Sequence, residues 1–270
     1  MPSVSERLFA ACCKLCAAIV ALMPIVVISL LVWAAITLTF ESNGRVEFSG
    51  WIAVAASTIV VSIVAATFGS ALGAGAAFAA EELAPTPIRR AIEGAVGFFG
   101  AIPSVAFGWL AATIIVPAAA ANPLGFVTPY AVAAAILAVM TAPTACALVM
   151  RGLRRVPDSV RFASAAAGAT KLQTATLVVV PALRRRIAIA GLAAFARSIG
   201  EATAMQVLFV ALAHAGVRAV PTAAATVFSR LALGPPAADP SYYIAALVLL
   251  CVAAACVLAV GREVGGPQWA

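Results

Sequence analysis

Charged residues are missing from four long intervals, 15–40, 48–80, 94–150 and 240–261, which are filled mainly by Ala, Val, Leu, Ile, Phe and Gly. A helix needs about 20 apolar residues to cross the hydrocarbon core of a bilayer. Each interval therefore predicts at least one span. The third predicts two, because Pro117, Asn122, Pro123, Gly125 and Pro129 interrupt it. Residues 187–213 add another, broken only by Arg197 and Glu201. The pattern thus predicts six helices, at about 17–40, 51–80, 91–117, 129–150, 187–213 and 241–261.

Composition agrees. Hydrophobic residues make up 64% of the chain and charged residues 10%, against roughly 45–50% and 25% in soluble domains. The expectation is an all-α integral membrane protein, residues 1–270 forming one transmembrane domain, with no internal repeat or soluble module. Arg7, Lys14, Arg89, Arg90, Arg262 and the eight Lys/Arg of 151–186 fall on one side of the predicted membrane, and only Arg45, Arg218 and Arg230 on the other. The excess of basic residues marks the cytoplasmic side, so both termini and 151–186 are expected there, in a bacterial cytoplasmic (inner) membrane. A net charge of +7 then reports topology and contact with anionic lipid or a cytoplasmic partner. It does not argue for nucleic acid, for which no aromatic and basic module is present.

Residues 8–40 are too long for the apolar core of a cleavable signal and are read as a retained first helix. Cys12, Cys13 and Cys16 lack the ligands that would complete a metal site, and like Cys146, Cys251 and Cys256 they are read as small packing residues. Gly69, Gly73, Gly75, Gly94, Gly97, Gly100 and Gly108 suggest helices in close approach. His214 has no catalytic companions, Glu81 and Glu82 near Arg89 and Arg90 read as a solvated turn, and no Gly-rich Lys-Ser/Thr phosphate loop occurs. No catalytic site is expected.

Two polar segments stand out. The first is RGLRRVPDSVRFASAAAGATKLQTATLVVVPALRRR, residues 151–186. Pro157 and Asp158 suit a helix start, and Gly168 suits a left-handed helix end. Thr170 and Gln173 have capping-box spacing, so a second helix should begin at once and run to Pro181. The result is a tight helix-turn-helix elbow, whose Ala163, Ala166 and neighbouring small residues form a low-relief surface suited to a partner's groove. The second is AFARSIGEATAMQ, residues 194–206. Arg197 and Glu201 are four apart and are expected on one helical face, able to touch. Charges inside a membrane usually turn toward a cavity or partner. A guanidinium fork matches a tetrahedral oxyanion, whereas a structural ion pair is the competing reading.

These segments carry a resemblance. Gly168 followed at fixed spacing by Val178, Val179, Val180 and Pro181 resembles the EAA loop of bacterial ABC-importer permeases. RSIGEATAM (197–205), AIPSVAFGW (101–109) and LAVMTAPTA (137–145) resemble segments of their phosphate-specific permeases. The resemblance implies a type I ABC-importer permease fold with a cytoplasmic coupling helix between spans four and five. It implies alternating-access import of inorganic phosphate, with Arg197 and Glu201 in the substrate pathway. Phe162, Ala163, Ala166, Gly168, Ala169 and Thr170 would couple to the ATPase, and Pro181 would belong to the structural elbow. The implied partners are a second homologous permease subunit, two ATP-binding subunits that carry ATP and Mg, and a periplasmic or extracellular phosphate-binding protein. No cofactor is expected on this chain itself. Phe162 replaces the family's usual Glu, and Ala204-Met205 leans toward the C-type of the two permeases. The alternatives are a permease for sulfate, molybdate or phosphonate, or a non-transporting scaffold or sensor with the same fold.

Overall fold

The computed structural model describes residues 4–41, 51–121, 127–230 and 240–265. Among them every regular element is helical. In chain order these are α1 (Val4–Glu41), α2 (Trp51–Phe78), α3 (Thr86–Ala101), α4 (Ser104–Leu110), α5 (Val116–Ala121), α6 (Val127–Leu153), α7 (Asp158–Ala166), α8 (Lys171–Gln173), α9 (Val180–Ile199), α10 (Thr203–His214), α11 (Ala223–Phe228) and α12 (Ser241–Gly265). Wider π-wound stretches extend several of these helices, among them Ala79–Leu83 after α2, Ala111–Ile115 between α4 and α5, and Thr174–Val179 between α8 and α9.

Among the described residues three helices are long and apolar enough to cross a membrane, Trp51–Leu83, Pro129–Leu153 and Ser241–Arg262. A fourth crossing is available if the bent pair Thr86–Ala101 and Ser104–Ala118, hinged by 90°, counts as one span. The other two predicted spans differ from simple rods. Among the described residues of α1, the apolar stretch is Ile25–Thr37. The predicted fifth span is split into α9 and α10 by Gly200, Glu201 and Ala202. The bend in the third has a covalent cause: Pro103 has no N–H, and it holds Ile102 extended at φ −64°, ψ 128°.

The core is the packing of α2, α6 and α9, with α2 and α6 in the most extensive contact. Small residues make it possible, because lipid supplies no hydrophobic drive and close van der Waals contact must hold the helices together. A side chain at Gly69 would collide with Thr141 and with Ala138 O at 2.8 Å; at Gly73 it would collide with Ala142 and with Cys146 N at 2.7 Å. Gly108 abuts Ala204 O in the same way, at 2.7 Å. Gly75, Gly94 and Gly97 instead face open space, and Gly100 makes only an ordinary contact with Pro143, so the packing role read for most of these glycines is seen at Gly69, Gly73 and Gly108. Cys146 is buried, as expected of a packing residue, whereas Cys13, Cys16 and Cys251 are exposed.

Two clusters divide the interior. One joins Val61, Leu137, Met205 and Leu208; the other joins Val149, Leu153, Val179 and Leu183 near the elbow. On the side away from the elbow, α2 anchors α11. The Ala223 N–H donates to Thr58 Oγ1 at 2.7 Å, and Ser57 Oγ donates to Pro221 O at 3.0 Å. These bonds satisfy the start of a short helix that has no side-chain cap of its own.

Candidate functional site: a braced elbow and a junction of helix breaks

The elbow forms as its sequence predicts. Helix α7 ends at Gly168, whose φ of +84° is costly for any residue with a Cβ. Gly168 N–H donates to Ala165 O at 2.9 Å and Ala169 N–H to Ser164 O at 3.2 Å, the paired bonds of a Schellman ending. Thr170 and Gln173 then make a reciprocal capping box: Gln173 N–H donates to Thr170 Oγ1 at 3.2 Å, and Thr170 N–H to Gln173 Oε1 at 2.8 Å. A Ser164–Thr174 hydroxyl bond of 2.9 Å ties the two arms together.

The second arm does not stop at Pro181. It passes through that proline into α9, because the preceding stretch Thr174–Val179 is wound with wider hydrogen bonds, Val180 N–H reaching back to Ala175 O. Proline forfeits one bond and presses on the previous turn, and a π-wound turn accommodates both.

Beneath the elbow lies a network that contradicts the reading of Glu81 and Glu82 as a solvated turn. Their side chains are 6% and 8% exposed. Arg161 grips Glu82 with two nitrogens, at 2.7 and 3.2 Å, and donates to the carbonyls of Val156 at 2.7 Å and Leu153 at 3.1 Å. Arg154 joins Glu81 and Glu93, both at 2.6 Å, and Arg89 contacts the same two acids at 3.1 and 3.0 Å. Hydrogen bonding to Glu82 raises the pKa of Arg161, and bonding to Glu81 raises that of Arg154, so both remain charged. The network clamps the root of α7 to the ends of α2, α3 and α6. A groove of about 680 Å³ beside it is lined by Glu82, Arg161, Phe162 and Lys171, among others. The sequence did signal this network: an acid pair closes a charge-free helix, and the following basic segment has an unmatched excess of arginines.

Elsewhere on α7 no described residue covers the surface. Phe162 is 72% exposed, and Ala163, Ala166, Gly168 and Thr170 are exposed, with Ala169 half-buried. One face of the short helix is braced and the other is free.

The second site departs from its prediction. Arg197 and Glu201 do not lie on one continuous helical face, because α9 ends at Ile199. No ion pair joins them. Glu201 Oε1 instead accepts from Ala204 N–H at 3.2 Å and from Thr203 Oγ1 at 2.9 Å, capping the start of α10. Thr203 Oγ1 also lies 2.6 Å from Ser104 Oγ at the start of α4. A hydroxyl has one proton, and Thr203 gives its own to Glu201, so Ser104 donates to Thr203. The two helix breaks, at Pro103 and at Gly200, are thereby joined. Arg197 is exposed, and among the described residues it makes no hydrogen bond or ion pair. At the far end of α10, exposed His214 donates from Nδ1 to Val210 O at 2.8 Å.

Comparisons with known proteins place this geometry. Over 77% of its length the chain superposes on 91% of a chain from the MetNI methionine ABC transporter in an inward-facing conformation, with TM-score 0.59 and 18% identity. Over 96% it superposes on 96% of a chain from a bacterial ABC transporter involved in the import of the acidic polysaccharide alginate, with TM-score 0.63 and 13% identity. The fold is that of ABC-importer permeases. In sequence, the chain is 30% identical over 152 residues to the probable ABC transporter permease protein YqgH of Bacillus subtilis (strain 168), a match covering 56% of this chain. The chain spans about half the length of that relative, 49%. No protein-family model matches. The ion-pair network at the root of α7 and the hydroxyl bond between the two broken helices are polar features set within this fold.

Proposed function

We propose that the chain is the permease subunit of an ATP-driven importer in a bacterial cytoplasmic membrane, with the elbow on the cytoplasmic side. The observation that carries this is the elbow itself, a rigid helix braced on one face by Arg161 and Glu82 and open on the other, in a chain with the ABC-importer permease fold. A docking helix must transmit displacement, and the hydrogen-bonded root links α7 to the ends of α2 and α6. Two ATP-binding subunits on the elbows of this chain and a homologous permease would supply ATP hydrolysis. The permease pair would open alternately to each side, fed by an external binding protein.

The proposed substrate is inorganic phosphate. Arg197 lies exposed on α9 with no partner among the described residues, as a pathway residue facing a second permease would. Glu201 uses Oε1 to hold α10, and Oε2 remains to accept a hydrogen bond from a protonated phosphate oxygen. Fully ionised sulfate lacks that proton and would meet repulsion.

ATP-dependent uptake of labelled phosphate into proteoliposomes holding the chain with its genomic neighbours tests both parts. Phosphate uptake that resists excess sulfate is expected. Uptake of sulfate, molybdate or phosphonate in its place would overturn the substrate, and ATP-independent behaviour with no uptake would favour a scaffold or sensor.

A further inference from the structure

Three arginines outside the braced network meet around a small cavity of about 60 Å³, lined by Leu148, Arg151, Arg155, Arg186 and Ile189. Arg151 lies in the last turn of α6, Arg155 in the turn that follows it, and Arg186 in the second turn of α9. The approach is built into the backbone. Gly152 leaves room for the Arg186 stem, and a Cβ there would sit 2.6 Å from Arg186 Cδ. One terminal nitrogen of Arg186, Nη2, is buried with no hydrogen-bond partner. No carboxylate lines the cavity, and Glu81, Glu82, Glu93 and Asp158 are all engaged with Arg89, Arg154 or Arg161. Converging guanidinium groups with no counter-charge repel one another, and a buried unpaired donor costs free energy. A multivalent anion would relieve both.

We propose that Arg151, Arg155 and Arg186 form a binding site for a phosphate group at the elbow side of the membrane, supplied by an anionic phospholipid headgroup or by free inorganic phosphate. The planar guanidinium suits phosphate oxygens. The cavity takes a single phosphate rather than a whole lipid, and Leu148 and Ile189 form its apolar wall. The site lies at the junction of α6 and α9, beside the root of the elbow, and does not include Arg197 or Glu201.

Native mass spectrometry of the purified full chain in neutral detergent, with phosphatidylglycerol, phosphatidylcholine or inorganic phosphate added, tests this. Preferential retention of phosphatidylglycerol over phosphatidylcholine is expected. From the usual contribution of a basic residue at a membrane surface, each Arg→Gln change should weaken retention about fivefold, and the triple variant about a hundredfold. Arg151 and Arg155 are exposed, so Arg151→Gln with Arg155→Gln keeps the test clear of misfolding. Arg90→Gln with Arg262→Gln, exposed positions outside the cavity, should change nothing. Displacement of the lipid by millimolar inorganic phosphate, lost in the same variants, assigns the site to the free anion; persistence assigns it to lipid. Equal retention of the two lipids with no phosphate binding, or undiminished binding by Arg151→Gln with Arg155→Gln, overturns the site.

Discussion

Ser104 Oγ and Thr203 Oγ1 lie 2.6 Å apart across 99 residues of sequence, and each stands at the first position of a helix that resumes after a break. The bond joins Pro103, which ends one helix, to Gly200, which ends another. Beside it, Gly108 lets α4 approach α10 against Ala204. Two interrupted spans are thus held as one unit, with Glu201 completing the hydrogen-bond chain.

Ser104→Ala is expected to cost about 1 kcal/mol, the net worth of one such bond, and Thr203→Val about 2 kcal/mol, because it also removes the donation to Glu201. The double variant should lose less than the sum, because one bond is removed in both. Thermal unfolding of the purified chain reads the cycle. Full additivity would mean that the two hydroxyls do not interact.

The elbow root gives a sharper expectation. Arg161→Gln leaves Glu82 nearly buried without its cation, a loss of about 3 kcal/mol for a largely desolvated pair. Proteolysis within 151–170 should accelerate in this variant. Glu82→Gln with Arg161→Gln should recover part of the loss, since no charge is then left unpaired. If neither variant alters cleavage, the clamp does not hold the elbow.

Gly168→Val isolates backbone conformation. No atom lies within 4 Å of where its Cβ would stand, so the cost comes entirely from the left-handed φ of +84°, about 1–2 kcal/mol. Assembly should survive while substrate-stimulated ATP hydrolysis and uptake fall together. Normal coupling in the purified variant complex would remove the elbow from the transmission path.

Local rules made the elbow legible in the sequence. Gly168, Thr170 and Gln173 each act on neighbours within five residues, so spacing alone sufficed. The apolar intervals likewise located α2, α6 and α12, because a lipid-facing helix must be continuously apolar. Breaks inside spans were harder to read. Arg197 and Glu201 have the spacing of a helical pair, and only the capping bonds of Glu201 to Thr203 and Ala204 show that the helix ends between them. Glu81 and Glu82 looked solvated because their partners, Arg154 and Arg161, lie more than 70 residues away. Long-range ion pairs leave only an unmatched charge count as their trace.

The separation of Arg197 from Glu201 changes what their substitution should do. As a buried bridge they would have to be replaced together, but the structure gives them different roles. Arg197→Lys keeps a positive charge and loses the planar fork. Since Arg197 has no partner within the described chain, stability should hardly move, while phosphate uptake falls by about a hundredfold if two oriented hydrogen bonds are lost. Glu201→Gln keeps an oxygen to accept from Ala204 N–H and Thr203 Oγ1, so the α10 cap should survive. It removes the negative charge proposed to repel fully ionised oxyanions, and sulfate should then compete with phosphate. Glu201→Ala, by contrast, removes the cap as well and should lower thermal stability by about 1 kcal/mol. Uptake and unfolding measured on all three variants separate the roles. Loss of stability with Arg197→Lys, or unchanged sulfate discrimination with Glu201→Gln, would make these residues parts of the scaffold rather than of the pathway.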